Sequence, residues 1–212
     1  MPLIQAAYDS EDIRRILDSN SLPLVLGLDL GTRCGYAFAL REKDGWHLRP
    51  LQMGQLDLHA GPYDSGAIRF IRLRRYLAEF TPCAIFYEDV KFTPTMGDQV
   101  SAAKMMARTS TASELIGSFK STVCTWAEEL DIPCQGYAIS SIKKFAVGKG
   151  SVNKEGMIQA CNTRYGTDFG IEDYKSTGVD NVADAAFVLH LGITEYGKGI
   201  SNIGTTEVKT GG

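Results

Sequence analysis

Three carboxylates, Asp29, Glu88 and Asp184, stand in this chain where carboxylates are costly, and a fourth, Asp180, lies one helical turn before the last of them. Asp29 lies inside the run Leu24-Val-Leu-Gly-Leu-Asp-Leu30, and Glu88 ends the apolar segment Cys83-Ala-Ile-Phe-Tyr-Glu88. Asp180 and Asp184 are four apart at the start of an apolar stretch, which puts them on one face of a helix. Burying an ionised carboxylate without a partner is strongly unfavourable. Each acid alone has a plain structural account. Asp29 suits a cap on the turn at Gly31 equally well, Glu88 suits a solvated strand end, and Asp180 suits a helix N-cap. Asp184 is harder to place that way, because Val182, Ala183, Ala185, Ala186 and Val188 surround it. Taken together, separated acids in apolar segments are better explained by a shared cation. Hard divalent ions such as Mg²⁺ prefer carboxylate oxygens and water. Two such ions, about 4 Å apart, can activate water and stabilise the leaving oxygen of a phosphodiester. Asp89 alternates to the opposite face of the strand, so only one of the pair can face Asp29, and Glu88 is the choice.

A second constellation is basic. Lys143, Lys144, Lys149 and Lys154 crowd a segment whose only acid before Gly156 is Glu155. Lysines of this kind give sequence-independent affinity for phosphates, and a solvated loop is the ordinary alternative. Gly148-Lys149-Gly150 is not a nucleotide-binding P-loop, because the upstream glycine spacing and the following Ser or Thr are missing. His47, His59 and His190 are scattered, and His190 reads as a packed or exposed helix residue rather than a ligand.

The elements that must hold these residues follow from periodicity. Leu24–Leu30 and Gly35–Leu40 read as two strands joined by a Gly-containing turn, with a weaker third strand over Leu51–Leu58. Helical spacing runs over Ala67–Phe80, and Cys83–Val90 is a short strand with acids at its end. Helical patterns follow between Gln99 and Leu130, then a strand near Cys134–Tyr137. Helices are expected over Ser140–Val147, Asn153–Tyr165 and Asp180–Tyr196. A meander followed by strands alternating with helices predicts an α/β domain with a mixed, five-stranded sheet. Residues 1–21 read as an extension with a short amphipathic helix over Ser10–Ser19, residues 22–196 as the domain, and residues 197–212 as a flexible, Gly-rich tail.

Bulk properties narrow the classes. The chain has 212 residues, 44% of them hydrophobic and 22% charged, enough for one domain with a real core. A net charge of −3 supplies no global basic field, so nucleic-acid binding must rest on a local patch. The five cysteines are scattered, with no C-x-x-C pair or zinc spacing. No stretch approaches the roughly 20 apolar residues of a membrane span, and the N-terminus has charges where a signal peptide needs an apolar run. A reduced, cytoplasmic protein with no membrane partner is expected.

The segments Leu26-Gly-Leu-Asp-Leu-Gly-Thr-Arg-Cys-Gly-Tyr36, Ala84-Ile-Phe-Tyr-Glu-Asp-Val90 and Asn181-Val-Ala-Asp-Ala-Ala186 resemble the acidic motifs of RuvC-type Holliday-junction resolvases. The basic stretch Ile142-Lys-Lys-Phe-Ala-Val-Gly-Lys-Gly-Ser-Val-Asn-Lys-Glu155 is also similar, and is the most specific match. The likeness implies an RNase H-like fold and a Mg²⁺-dependent, structure-selective DNA endonuclease with two ions per site, Mn²⁺ being a plausible substitute. It implies Asp29, Glu88 and Asp184 as metal ligands. Asn181 stands where many members carry another acid or a histidine, which makes Asp180 the natural fourth ligand. Lys143 and Lys154 match lysines serving DNA binding or charge stabilisation near the scissile phosphate, with Lys154 nearer the chemistry. Lys144 and Lys149 extend that basic surface, and Phe92 lies one residue from the position of an aromatic that stacks on junction bases. Branched DNA and a second copy of the chain are the implied partners, in a bacterial or phage-infected cell. Competing readings are a nuclease of the same fold acting on flaps, forks or RNA–DNA hybrids, and a non-catalytic junction-binding protein. A sugar kinase or related ATPase shares L-D-L-G-T, but needs a duplicated domain and a much longer chain.

Overall fold

The strand Leu24–Asp29 is apolar on both faces because it lies in the middle of the sheet. Leu24, Leu26 and Leu28 enter one buried cluster, and Val25 enters the other. The computed structural model describes residues 4–5, 23–43, 45–49, 52–90, 99–172, 174–199 and 208–210. Its strands are β1 (Ile4–Gln5), β2 (Leu24–Asp29), β3 (Arg33–Glu42), β4 (Gly45–Leu48), β5 (Met53–Asp57), β6 (Ala84–Glu88), β7 (Cys134–Tyr137) and β8 (Val208–Thr210). The helices are α1 (Ile68–Phe80), α2 (Gln99–Glu129), α3 (Ile139–Val147), α4 (Lys154–Tyr165), α5 (Tyr174–Thr177) and α6 (Val179–Gly199).

The sheet runs β1-β5-β3-β2-β6-β7, with β4 paired to β3 and β8 paired to β4. β2, β3 and β5 form the antiparallel meander, and β6 and β7 add in parallel to β2. The five expected strands are all present, in a mixed sheet flanked by helices. Three short strands join them at the margins. Of these, β4 begins at Gly45, which takes a φ of 145°. The tail expected from Gly197 differs in two places: α6 runs on through Gly199, and residues 208–210 pair with β4. The helix expected over Ser10–Ser19 and the side chain of Phe92 lie outside the described residues.

Side-chain alternation splits the core into two layers. On one face, α3, α4 and α6 bury Ile142, Met157, Ile158, Cys161, Tyr165 and the α6 run Val182–Leu189 against Val25, Ala37 and Phe86. On the other, α1 and α2 bury Leu73, Leu77, Phe119, Val123 and Trp126 against Leu26, Phe38 and Ile85. α6 lies directly on the sheet. A Cβ at Gly27 would stand 2.6 Å from Leu189 Cβ, and one at Gly35 would stand 2.0 Å from the Asn181 carbonyl oxygen. Both positions therefore demand glycine, and they set the depth at which the last helix seats. No helix among the described residues is long and apolar enough to cross a membrane.

Candidate active site

Strand parity decides which acids meet. β2 alternates so that Asp29 points to the α6 face, following Val25 and Gly27. β6 alternates likewise: Ala84 and Phe86 join the α6 layer, so Glu88 follows them. The parallel register Leu28↔Tyr87 makes Asp29 and Glu88 the next pair at the C-terminal ends of adjacent strands. Asp89 turns the other way and forms an ion pair of 2.6 Å with Lys120 on α2. The expected choice of Glu88 over Asp89 agrees with this geometry.

α6 supplies the other two acids from its first turns. Asp180 is buried, at 4% exposure, and Asp184 is half-buried one turn on. The proximity of the acids shows in the protonation of Asp29, Glu88 and Asp184. Burial pushes Asp29 well above the usual carboxylate range, the charges of Glu88, Asp184 and Asp180 push it further, and Lys154 pulls it back. Asp184 is pushed up to about 7, first by burial, then by Glu88 and Asp180, against Lys154 and Lys143. Burial also raises Glu88, with Lys143 and Lys154 in opposition. Like charges gathered in a poorly solvated place disfavour joint ionisation. A divalent cation removes that conflict, and oxygen donors are what such ions take. The donor set therefore fits Mg²⁺ or Mn²⁺. As placed, no three His, Cys, Asp or Glu side chains among the described residues stand together in ligating geometry.

A mooring of hydrogen bonds fixes the start of α6. Asn181 donates its Nδ2 to the Arg33 carbonyl at 2.9 Å, so it ties helix to strand. Gln55, buried on β5, donates to the Gly178 carbonyl at 3.0 Å. The Arg33 guanidinium donates to the carbonyls of Lys175 and Ser176, at 3.3 and 2.9 Å, at the end of α5. Sequence reasoning missed Arg33 and Gln55. The available signal was an amide among the apolar residues of the third strand, which needs a partner when buried.

The four lysines divide into two pairs. Lys154 opens α4 behind the Asn153 cap, whose Oδ1 accepts from Gly156 N at 3.0 Å. Its ammonium forms an ion pair with Asp180 and lies 5.9 Å from the centroid of the Tyr174 ring. Burial works to lower Lys154, but the bond to Asp180 and the charges of Asp180, Asp184 and Asp29 outweigh it and hold the ammonium above its usual range. Lys143 is half-buried and donates to the Val152 carbonyl at 2.9 Å, closing the loop of residues 148–153. Lys144 and Lys149 are exposed. His190 is a packed residue, as one of its expected readings had it. The Tyr165 hydroxyl lies 2.9 Å from its Nδ1, the Phe145 ring packs edge-on, and burial lowers it to about 4.

No family model matches the chain, and no curated protein matches it in sequence. Solved structures do match. The mixed sheet with its flanking helices is an RNase H-like fold, and within that class it is the fold of RuvC-type resolvases. Thermus thermophilus RuvC is similar at 20% identity and a TM-score of 0.54, over 82% of this chain and 96% of that one. T. thermophilus RuvC in complex with Holliday junction substrate is similar at 18% identity and a TM-score of 0.57, with the same coverage. The yeast mitochondrial Holliday junction resolvase is similar at 19% identity and a TM-score of 0.50, over 89% of this chain and 85% of that one.

Proposed function

We propose that this chain is a divalent-metal-dependent DNA endonuclease that resolves four-way junctions. The observation that carries the proposal is the convergence of Asp29, Glu88, Asp180 and Asp184 from two strand ends and one helix start onto the α6 face. The raised affinity of Asp29, Glu88 and Asp184 for protons marks a place prepared for positive charge. These four acids would hold Mg²⁺, with Mn²⁺ as a substitute, and bound ions would supply an activated water and charge neutralisation at the phosphate.

The chain's own residues do the remaining work. Lys154 stands at the edge of the acids and offers a cation to a phosphate oxygen. Lys144 and Lys149 face solvent and suit contacts to the DNA backbone. Lys143 holds its loop closed while moderating the charge of Glu88 and Asp184. The moored start of α6 keeps Asp180 and Asp184 from drifting, and small misplacements of catalytic groups are expensive in rate. Cutting two strands symmetrically calls for two such sites, so a homodimer is the assembly proposed.

The test is a cleavage assay on four-way junctions, flaps, forks and duplex DNA, with and without Mg²⁺. Junction cutting that needs Mg²⁺ and disappears in Asp29→Asn, Glu88→Gln and Asp184→Asn is the expected result. Preferred cutting of flaps or forks would replace the junction assignment with branched DNA of another shape. Junction binding without cleavage under any metal would make the chain a binding protein.

A further inference from the structure

The acid at the head of α6 already has a cation. Asp180 is paired with the Lys154 ammonium, and the two partners differ sharply in freedom. The Lys154 side chain is 57% exposed, whereas the Asp180 side chain is 6% exposed. Asp180 sits in the first turn of a helix seated against the sheet, so the carboxylate is the fixed partner and the ammonium the movable one. The base of Lys154 is fixed by the Asn153 cap, so its flexible stem can swing without moving α4.

We propose that Lys154 and a divalent ion are alternative cations for Asp180, so that metal loading releases the Lys154 ammonium to the DNA phosphate. The inference rests on the metal-dependent reading above and goes beyond it in giving Lys154 two successive partners. Lys154 occupies the one carboxylate of the four that has an ion pair among the described residues, so Asp180 can join a metal site only by giving up that partner. An ion bound by several carboxylates displaces a monovalent ammonium held by one. The freed ammonium then lies at the rim of the site, where a phosphate arrives. Metal and DNA binding become coupled through one side chain, and the coupling must be reciprocal.

The test reads metal binding, not turnover. Mn²⁺ is titrated into the full-length, DNA-free protein by calorimetry, for wild type, Lys154→Met, Lys143→Met and Asp29→Asn. Lys143→Met removes the same charge from the surroundings of Glu88 and Asp184, but its ammonium is bonded to Val152 rather than to Asp180. Lys154→Met should bind Mn²⁺ about tenfold to a hundredfold tighter, the scale of losing one charge-assisted hydrogen bond. Lys143→Met should gain clearly less. Unchanged or weaker binding in Lys154→Met overturns the exchange, and so does an equal gain in Lys143→Met, which would reflect the field alone. Loss of Mn²⁺ in Asp29→Asn, with no change in Lys154→Met, sinks the exchange and leaves the metal site standing. Failure of wild type and Lys154→Met alike to bind Mn²⁺ overturns both readings.

Discussion

Removing one of the clustered carboxylate charges should make this protein more stable, and Asp184 is the place to see it. Its carboxyl is pushed from 3.8 up to about 7, chiefly by burial and then by Glu88. That is about three units, and at about 1.4 kcal/mol per unit the ionised group opposes folding by about 4 kcal/mol. Asn keeps the shape without the charge, but its own amide must be desolvated, at about 1–2 kcal/mol. A net gain of about 2 kcal/mol remains for Asp184→Asn, which in a chain of this length raises Tm by about 4–8 °C. The sign with pH follows from the raised value. Between about 4 and 7 the folded chain holds a proton that the unfolded chain has lost, so wild-type stability falls as pH rises through this window and levels off above it. The assay is thermal unfolding in EDTA at pH 8 and pH 5. Asp184→Asn should lead wild type clearly at pH 8, and the lead should shrink by more than half at pH 5. Added Mg²⁺ should raise wild type and leave the variant nearly unmoved. A variant that melts below wild type by the same margin at both pH values would refute the argument, because it would show that the site stores no charge conflict.

Asp180→Asn should lose cleavage as Asp184→Asn does, whereas Asn181→Ala should retain more activity and cost about 1 kcal/mol of stability by chemical denaturation, for the lost bond to the Arg33 carbonyl. Full activity of Asp180→Asn would return that residue to a capping role. Lys144→Ala and Lys149→Ala should each flatten the salt dependence of junction binding by about one unit of slope, at unchanged single-turnover rates on saturated DNA. Unchanged slopes would make this segment an ordinary solvated loop.

The residues differ in how much of this was readable beforehand. That Glu88 and Asp89 lie on opposite faces was legible because strands alternate strictly, but which of them faces Asp29 was a choice that the packing of Ala84 and Phe86 beneath α6 decides. The five main strands and the long helices were legible from their apolar periodicity. Asp180 and Asn181 were separable only in part, since both lie in the first turn of α6. What divides them is a partner 148 residues away, the Arg33 carbonyl. Gln55 was passed over because its acceptor, the Gly178 carbonyl, is equally remote in sequence. The lysines read as a uniform basic segment, yet Lys143 turns inward to Val152 and Lys154 to Asp180, while Lys144 and Lys149 stay out. A charge run carries no record of which stems fold back. The short strands β1, β4 and β8 left no clear periodicity, because two to four residues are too few to show one.

The placement of α6 has a consequence for the chain as it is made. Asp29 emerges on an early strand, and its partners Asp180 and Asp184 sit on the final long helix, which seats against Gly27 and Gly35. A ribosome therefore releases almost the whole domain before the set of acids can close. The face of the sheet shared by α3, α4 and α6 is therefore completed last, when α6 arrives. Chains that stop before Asp180 carry the whole basic segment of Lys143, Lys144, Lys149 and Lys154 but only two of the four acids, Asp29 and Glu88. The order of the elements thus keeps the four acids apart until synthesis of the domain is nearly finished.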